Sequence, residues 1–348
     1  MNPYILATLM FGLGLGTTIT FASSHWLLAW MGLEMNTLAI IPLMAQLHHP
    51  RAVEATTKYF LTQATAAAML LFAGTTNAWL TGQWDIQQMN HPFPTTLITL
   101  ALALKIGLAP VHSWLPEVLQ GLDLTTGLIL STWQKLAPFA LLLQIYPTNS
   151  TLLIVLGLTS TLVGGWGGLN QTQLRKILAY SSIAHLGWMI LILQFSPSLT
   201  LLALLMYMIM TSSTFLVFKL NKATNINALA ISWTKTPALT SLTPLVLLSL
   251  GGLPPLTGFM PKWLILQELT KQDLAATATL AAMTALLSLY FYLRLSYAMT
   301  LTMSPNNLSG ITPWRLPSLQ LTMPLAISTT TTLLLLPLTP AVTAILMP

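Results

Sequence analysis

Cysteine is absent from the 348-residue chain, and only 6% of its residues are charged. Without cysteine the chain can form neither a disulfide framework nor a cysteine-ligated iron–sulfur cluster, and it has no thiol nucleophile. The six histidines are not spaced with acidic residues as metal ligands are, and no helix-length segment carries a pair suited to haem. GxGxxG and GxxxxGK[ST] patterns are also missing, so nucleotide binding by this chain is not expected.

The scarcity of charge decides the broad class of protein. Soluble domains contain about 25% charged residues, whereas this chain is 54% hydrophobic with a mean hydropathy of +0.73. A globule of this size cannot hide so much apolar surface, so lipid is the expected solvent. The net charge of +6 does not indicate nucleic-acid binding, because the basic residues are scattered between apolar segments.

Apolar segments of about 20 residues, the length at which a helix crosses a bilayer, recur along the whole chain. They predict an all-α polytopic membrane protein with about eleven transmembrane helices. The predicted spans are 3–22, 25–45, 57–80, 95–119, 124–146, 151–169, 175–194, 198–219, 238–268, 275–299 and 322–346. The first segment lacks a basic n-region, so it is expected to be a span and not a cleaved signal.

The loop charges predict the orientation of the chain. With eleven spans, one side of the membrane receives Arg51, Lys58, Arg175, Lys176, Lys219, Lys222, Lys235, Arg294 and Arg315. The opposite side receives only Lys271. By the positive-inside rule the N-terminus, which lies on the basic side, faces the matrix if the membrane is mitochondrial.

Lys105, Lys135 and Lys262 fall inside predicted spans, as does Glu34. A charge at the bilayer centre costs about 2.5–3.5 kcal/mol, so such residues normally pair with one another or line a hydrated path. A glutamate and a lysine whose separation can change form a proton switch, because each stabilises the charged form of the other. We therefore predict a switch between Glu34 and Lys105, with Lys135 and then Lys262 as later carriers.

Other titratable residues are less clearly assigned by the sequence. His112 lies about 10 Å from Lys105 if the helix continues, and it is added to the predicted relay. His185, on a serine-rich helix face, is either a secondary relay member or a packing residue. Glu117 is expected to be solvated, with gating of proton access as the alternative. For Lys135 taken alone, one half of a structural ion pair is the alternative.

An internal repeat accompanies these charges. The stretch "GLAPVHSWLPE" (107–117) aligns without gaps to "GLPPLTGFMPK" (252–262). The two stretches lie in the fourth and ninth spans, and a separation of five spans implies that the two halves are inverted. Proline-interrupted spans at corresponding positions of two inverted halves are typical of a transport site.

Several stretches resemble a known family over essentially the whole chain. They are "ATLMFGLGLGTTITFASSHWLLAWMGLEMNTLAIIPL", "EATTKYFLTQATAAAMLL", "KIGLAPVHSWLPEVLQGL", "LRKILAYSSIAHLGWM" and "SLGGLPPLTGFMPKW". These resemble the antiporter-like membrane subunits of mitochondrial NADH:ubiquinone oxidoreductase (complex I), which are related to Mrp-type antiporters. The resemblance implies two inverted five-helix repeats, each with a broken helix, at 1–147 and 148–300. A terminal loop and helix would follow at 301–348.

The resemblance also implies functional roles. The family's key glutamate matches Glu34, its paired lysine Lys105, its central-axis lysine Lys135, and the lysine of its second broken helix Lys262. The chain would translocate protons in the mitochondrial inner membrane, driven by NADH:ubiquinone electron transfer in other subunits. Those subunits would hold NADH, FMN, iron–sulfur clusters and ubiquinone, and this chain would bind no cofactor. Its expected partners are other complex I subunits, especially neighbouring antiporter-like ones, and lipid, with cardiolipin as one candidate.

Two rival functions stay open from the residues themselves. A stand-alone antiporter that exchanges Na⁺ or K⁺ for H⁺ would use the same charges and the same repeat. A non-catalytic scaffold would use the charges only to hold helices together. Transport by the isolated chain would identify the first, and loss of assembly after Lys105→Met would identify the second.

Overall fold

The computed structural model describes residues 2–46, 48–89, 91–145, 150–234, 236–301 and 322–346. Within these ranges the chain is helical apart from short loops and isolated β-bridges. Two residues used above to predict the orientation, Lys235 and Arg315, lie outside the described residues. So do residues 302–321 of the predicted terminal loop.

The chain divides into two compact units, Met1–Leu156 and Gly157–Pro348. The helices of the first unit are α1 (Pro3–Ala22), α2 (Trp26–Met44), α3 (Pro50–Thr81), α4 (Pro92–Ile106), α5 (Trp114–Gly121), α6 (Leu124–Ser131) and α7 (Trp133–Gln144). Helix α8 (Ser150–Gly168) begins in the first unit and ends in the second. The second unit continues with α9 (Leu174–Ile192), α10 (Pro197–Asn221), α11 (Ile226–Ala230), α12 (Pro237–Gly251), α13 (Phe259–Lys271), α14 (Ala275–Leu301), α15 (Thr322–Leu334) and α16 (Thr339–Leu346).

Apolar helices confirm the expected class of protein. Among the described residues, α1, α2, α8, α10 and α14 are each long and apolar enough to cross a membrane, and the bent pair α15–α16 is a sixth candidate. In an apolar 18-residue stretch of each helix, only 22% of α1 and 28% of α14 is buried. Tyr4, Phe11 and Met283 are among the exposed side chains. The chain is therefore an all-helical, multi-pass membrane protein. The count of eleven spans stays a prediction.

The fourth predicted span is broken at its glycine–proline motif. Helix α4 ends directly before Gly107, whose φ is 87°, a left-handed conformation that glycine adopts without strain. The N–H groups of Gly107 and Leu108 both donate to the Ala103 carbonyl at 2.9 Å. The chain becomes helical again as α5 at Trp114. This break places the C-terminal end of α4, and therefore Lys105, inside the first unit.

The ninth predicted span is broken in the same way. Helix α12 ends directly before Gly252, whose φ is 79°. The N–H groups of Gly252 and Leu253 donate to the Leu248 carbonyl at 3.1 and 3.3 Å. Helix α13 then begins at Phe259. The two aligned motifs therefore have the same local geometry, including the length of the break and the bonds that close the helix before it.

A second feature occurs in both units. In the first, the α1–α2 loop pairs with the α3–α4 loop through an isolated antiparallel bridge between His25 and Asp85. In the second, the α8–α9 loop pairs with the α10–α11 loop through a bridge between Gln173 and Asn225. In each unit, an isolated antiparallel bridge thus joins two of the loops that connect the helices.

Two predicted spans differ from the structure. The segment predicted as one helix over 124–146 is interrupted at Thr132, whose N–H and hydroxyl both bond to the Leu128 carbonyl, at 3.0 and 2.7 Å. Such local side-chain bonds compete with the regular helix ladder. The terminal segment, predicted as one helix over 322–346, is bent by 68° between α15 and α16. Pro337 lies at this bend, where it lacks the N–H that a continuous helix needs.

Candidate functional site

A buried cavity in the first unit is the centre of the candidate site. It is lined by Leu33, Asn36, Thr37, Tyr59, Gln63, Lys105, Ile106, Trp114, Leu115, Leu130, Gln134, Lys135 and Pro138. Its volume, counted as space open to the centre of a water molecule, is about 20 Å³. About 10–15 Å³ on this measure holds one water, provided that polar partners are present. The cavity therefore has room for water beside two lysines.

Lys105 reaches this cavity from the last turn of α4 and is 7% exposed. Its Nζ atom is buried and has no hydrogen-bond partner among the described residues. Neutral donors satisfy nearby carbonyls at the end of α4: the Trp114 indole bonds to Leu104 O at 3.1 Å, and the Gln63 amide approaches Lys105 O at 3.5 Å. The ammonium group of Lys105 is thus not needed to cap its own helix.

Lys135 lies one turn after the interruption at Thr132 and is 3% exposed. It lines the same cavity as Lys105. The structure therefore brings together two of the lysines that the sequence singled out, although they lie on different helices, α4 and α7. Like charges that share one buried space repel each other unless one gives up its proton or polar groups screen them.

Glu34 does not form an ion pair with Lys105. Among the described residues, ion pairs with N···O distances up to 4.0 Å join Lys58 to Glu54 and Glu117, and Lys271 to Glu268. The charge of Glu34 nevertheless acts on both Lys105 and Tyr59. Its carboxylate Oε2 lies 3.0 Å from the hydroxyl of Thr37, which lines the cavity. Glu34 is therefore next to the lysine cavity and, among the described residues, forms no ion pair with Lys105.

His112 is placed differently from the prediction. The helix that would have set it two turns from Lys105 ends before Gly107, so His112 lies in the irregular break. Its Nδ1 atom is 3.2 Å from the Pro110 carbonyl, and it is not one of the residues that line the lysine cavity. The two-turn spacing was conditional on a continuous helix, and glycine and proline end α4 before that condition is met.

Lys262 has a different local role in the second unit. It lies in the first turn of α13, and its Nζ donates a 2.7 Å hydrogen bond to the Gly251 carbonyl at the end of α12. A positive charge at a helix C-terminus is favourable because the last carbonyls lack partners within the helix. Lys262 therefore caps the broken helix, whereas Lys105 does not.

His185 also belongs to the second unit, on α9. Its ring lies 5.7 Å from that of Tyr207, centroid to centroid, with the ring planes tilted by 46°. Tyr207 is fully buried. The neighbouring Ser181 and Ser182 donate to carbonyls of their own helix, at 2.8 and 2.7 Å. The aromatic contact shows that His185 packs against Tyr207, and its relay role remains a prediction.

Comparison with known proteins identifies the family of the chain. The family model described as "NADH:quinone oxidoreductase/Mrp antiporter, TM" matches residues 23–288, and "NADH dehydrogenase subunit 2 C-terminus" matches 289–343. The chain is 80% identical over 342 residues to "NADH-ubiquinone oxidoreductase chain 2" of Tetraodon nigroviridis, which covers 98% of each sequence. The chain belongs to the NADH:quinone oxidoreductase/Mrp antiporter family. The resemblance noted in the sequence is thereby confirmed.

Solved structures of NADH:quinone oxidoreductase/Mrp antiporter assemblies share the fold. A chain of respiratory complex I from Thermus thermophilus with bound aureothin is 30% identical, with a TM-score of 0.83, over 96% of this chain and 78% of that one. A chain of the Mrp complex from Dietzia sp. is 17% identical, with a TM-score of 0.81, over 96% of this chain and 75% of that one. The second likeness concerns the fold alone.

Sequence reasoning missed the neutral polar residues that this member of the NADH:quinone oxidoreductase/Mrp antiporter family places around the lysines. Asn36 is 2% exposed, and neither polar atom of its side chain has a hydrogen-bond partner within the described ranges. Gln134 donates to the Asn36 backbone carbonyl at 3.2 Å. Spacing was the available signal, because Thr37 follows Glu34 by three residues and Gln63 follows Tyr59 by four, so each pair shares a helix face.

The site offers no evident place for a metal ion. Within the part of the chain that the structure describes, no group of three or more His, Cys, Asp or Glu residues could hold one. The available chemistry is that of hydroxyl, amide, carboxylate and ammonium groups around a small water-sized space. Such groups bind and pass protons.

Proposed function

We propose that the chain acts as a proton-translocating membrane-arm subunit of respiratory complex I in the mitochondrial inner membrane. As a subunit of an H⁺-translocating NADH:ubiquinone reductase, it would carry no redox chemistry itself. NADH, FMN, iron–sulfur clusters and ubiquinone would be bound by other subunits. The neighbouring antiporter-like subunits and membrane lipid, cardiolipin among the candidates, would be its partners.

The observation that carries this proposal is the cavity shared by Lys105 and Lys135. Both side chains are more than nine-tenths buried, and burial of an ammonium is expensive unless water or a counter-charge compensates. The nearby carboxylate, Glu34, is not in contact with Lys105. A space of about 20 Å³ with unpartnered polar atoms around it suits water that passes protons between these groups.

The roles of the residues follow from their positions. Glu34 and Lys105 form the switch, and their separation by more than salt-bridge distance lets the charge of one influence the other without locking the pair. Lys135 accepts the proton within the same cavity. Lys262 belongs to the relay in the second unit. His112 in the first unit and His185 in the second are less direct members of the relay.

The architecture in this proposal keeps eleven spans, two inverted repeats at 1–147 and 148–300, and a terminal loop and helix at 301–348. The matching breaks at Gly107 and Gly252 and the matching loop bridges support two equivalent halves. The distribution of basic loop residues supports an N-terminus on the matrix side.

Replacement of Lys105 tests the proposal. We expect Lys105→Met to lower proton pumping and coupled NADH oxidation by at least about tenfold, since a positioned acid–base group contributes about that much or more. Assembly should survive, because methionine keeps the apolar stem and Lys105 bonds to nothing that would be left unpaired. The measurement is proton uptake and NADH oxidation by inner-membrane vesicles.

Lys271→Met is the matched control, because this lysine is exposed and its ion pair, with Glu268, is 3.5 Å long. It should leave both rates unchanged. Normal pumping by an assembled Lys105→Met enzyme would refute the relay. Loss of the assembled complex would favour the scaffold role, and Na⁺- or K⁺-dependent transport by the isolated chain would favour an independent antiporter.

A further inference from the structure

The hydroxyl of Thr37 occupies a position that the relay described above does not use. Its Oγ1 atom lies 2.9 Å from the backbone carbonyl of Glu34 and 3.0 Å from the carboxylate Oε2 of the same residue. Thr37 is 7% exposed and lines the lysine cavity, whereas Glu34 is not among the lining residues. Thr37 therefore links the acid, to which its hydroxyl bonds, with the wall of the cavity.

The single hydrogen of the Thr37 hydroxyl limits the hydrogen bonds that it can donate. A threonine hydroxyl has one hydrogen to donate and lone pairs with which to accept. When Glu34 is ionised, the hydroxyl donates to Oε2, because the carboxylate can only accept. When Glu34 is protonated, the carboxyl group can donate to Oγ1, and the hydroxyl then turns its hydrogen to the Glu34 carbonyl. Both arrangements use the observed positions of the heavy atoms.

We propose that Thr37 is a positioning residue that holds the Glu34 carboxyl group in both of its protonation states and orients it towards the lysine cavity. The proposal rests on the relay function above. Lys105 on α4 and Tyr59 on α3 lie within electrostatic range of Glu34, and Lys135 on α7 lines the same cavity as Lys105. Without the hydroxyl, the carboxylate would lose a fixed partner and rotate away from this cluster.

The common bond from a threonine hydroxyl to a carbonyl of its own helix does not explain the contact between Thr37 and the Glu34 carboxylate. Many threonines in this chain donate to a carbonyl three or four residues earlier, among them Thr99, whose hydroxyl lies 2.9 Å from Thr96 O. Thr99 is 5% exposed and lies on α4, away from the cavity lining. The second acceptor, the carboxylate of a buried acid, distinguishes Thr37. Thr99 therefore provides a control with similar burial and the same backbone bond.

The test compares Thr37→Val, Thr37→Ser, Thr99→Val and Lys105→Met in the assembled complex. Proton uptake per NADH oxidised and the coupled rate are measured in inner-membrane vesicles. We expect Thr37→Val to lower the coupled rate about tenfold, the effect of losing one hydrogen bond to a charged group. Serine keeps the hydroxyl and should restore the rate to near that of the unmodified enzyme. Thr99→Val should have no effect.

The outcomes separate the two proposals. Equal rates for Thr37→Val and Thr99→Val, with Lys105→Met defective, would overturn the role of Thr37 and leave the relay standing. A fully active Lys105→Met enzyme would remove the relay itself. If Thr37→Val does not assemble, Thr37→Ala replaces it, and serine and alanine variants with equal rates would show that the hydroxyl has no function.

Discussion

At the residue scale, the two lysines beside the helix breaks differ in the hydrogen bonding of their ammonium groups. The Lys105 ammonium has no hydrogen-bond partner in the described part of the chain, and Trp114 and Gln63 bond to nearby carbonyls at the end of α4. Lys262 uses its own ammonium to bond the Gly251 carbonyl. Phe259 stands in the second motif where Trp114 stands in the first, and phenylalanine has no donor. The same backbone break is therefore followed by different bonding, because only the ammonium of Lys262 caps the helix before the break.

This difference predicts separate consequences for the two lysines. Lys262→Met would leave the Gly251 carbonyl without its observed donor, at a cost of about 1–3 kcal/mol. We therefore expect a less stable complex, whereas Lys105→Met should keep its stability and lose its pumping. The measurement is the temperature at which solubilised complex loses NADH oxidation, with Lys271→Met as the control. Equal inactivation temperatures for Lys262→Met and Lys271→Met would contradict the capping role.

The residues of the site could be predicted only in part. Lys105, Lys135 and Glu34 stand out because a charge inside an apolar span is costly. Asn36 and Thr37 do not, since a single neutral polar residue in a span is inexpensive and can satisfy itself on its own helix. Only folding showed that these side chains from α2 meet lysines from α4 and α7.

At the scale of elements, the glycines that end α4 and α12 decide where the helices break. Glycine, proline and the spacing of the two motifs predicted both breaks. The interruption at Thr132 was not predicted, because the bond from a threonine hydroxyl to the Leu128 carbonyl has no distinctive signal in the sequence. The distance from His112 to Lys105 could be predicted only for a continuous helix, and α4 ends before Gly107.

Gly107→Ala tests the importance of the first break. A side chain at φ 87° costs about 1–2 kcal/mol, and the added Cβ would lie 3.1 Å from Leu115 Cδ1. We expect a lower yield of assembled complex and earlier thermal inactivation. Gly14→Ala in α1 is the control, because an added Cβ there meets nothing within 4 Å. Equal yields for the two variants would show that the left-handed turn is not required.

At the scale of the whole molecule, apolar surface and function point to an assembly. Most of the apolar stretch of α1 and of α14 is not buried by the rest of the chain. Lipid or neighbouring subunits must cover these surfaces, since uncovered apolar area of this kind is stable only in such contacts. The described residues also contain no evident metal centre, and cysteine is absent. In the proposed function, this chain moves protons and other subunits supply the energy for pumping.

Co-migration is the prediction that belongs to this scale. After gentle solubilisation and separation on a native gel, we expect peptides of this chain, in stoichiometric amount, in the band stained for NADH dehydrogenase activity. A chain that migrates alone or in a small oligomer would contradict its place in complex I. Ion flux through the purified chain in vesicles would then be the decisive measurement. Transport that depends on Na⁺ or K⁺ would assign the two-lysine cavity to an independent antiporter, because the same groups can exchange a proton for a cation.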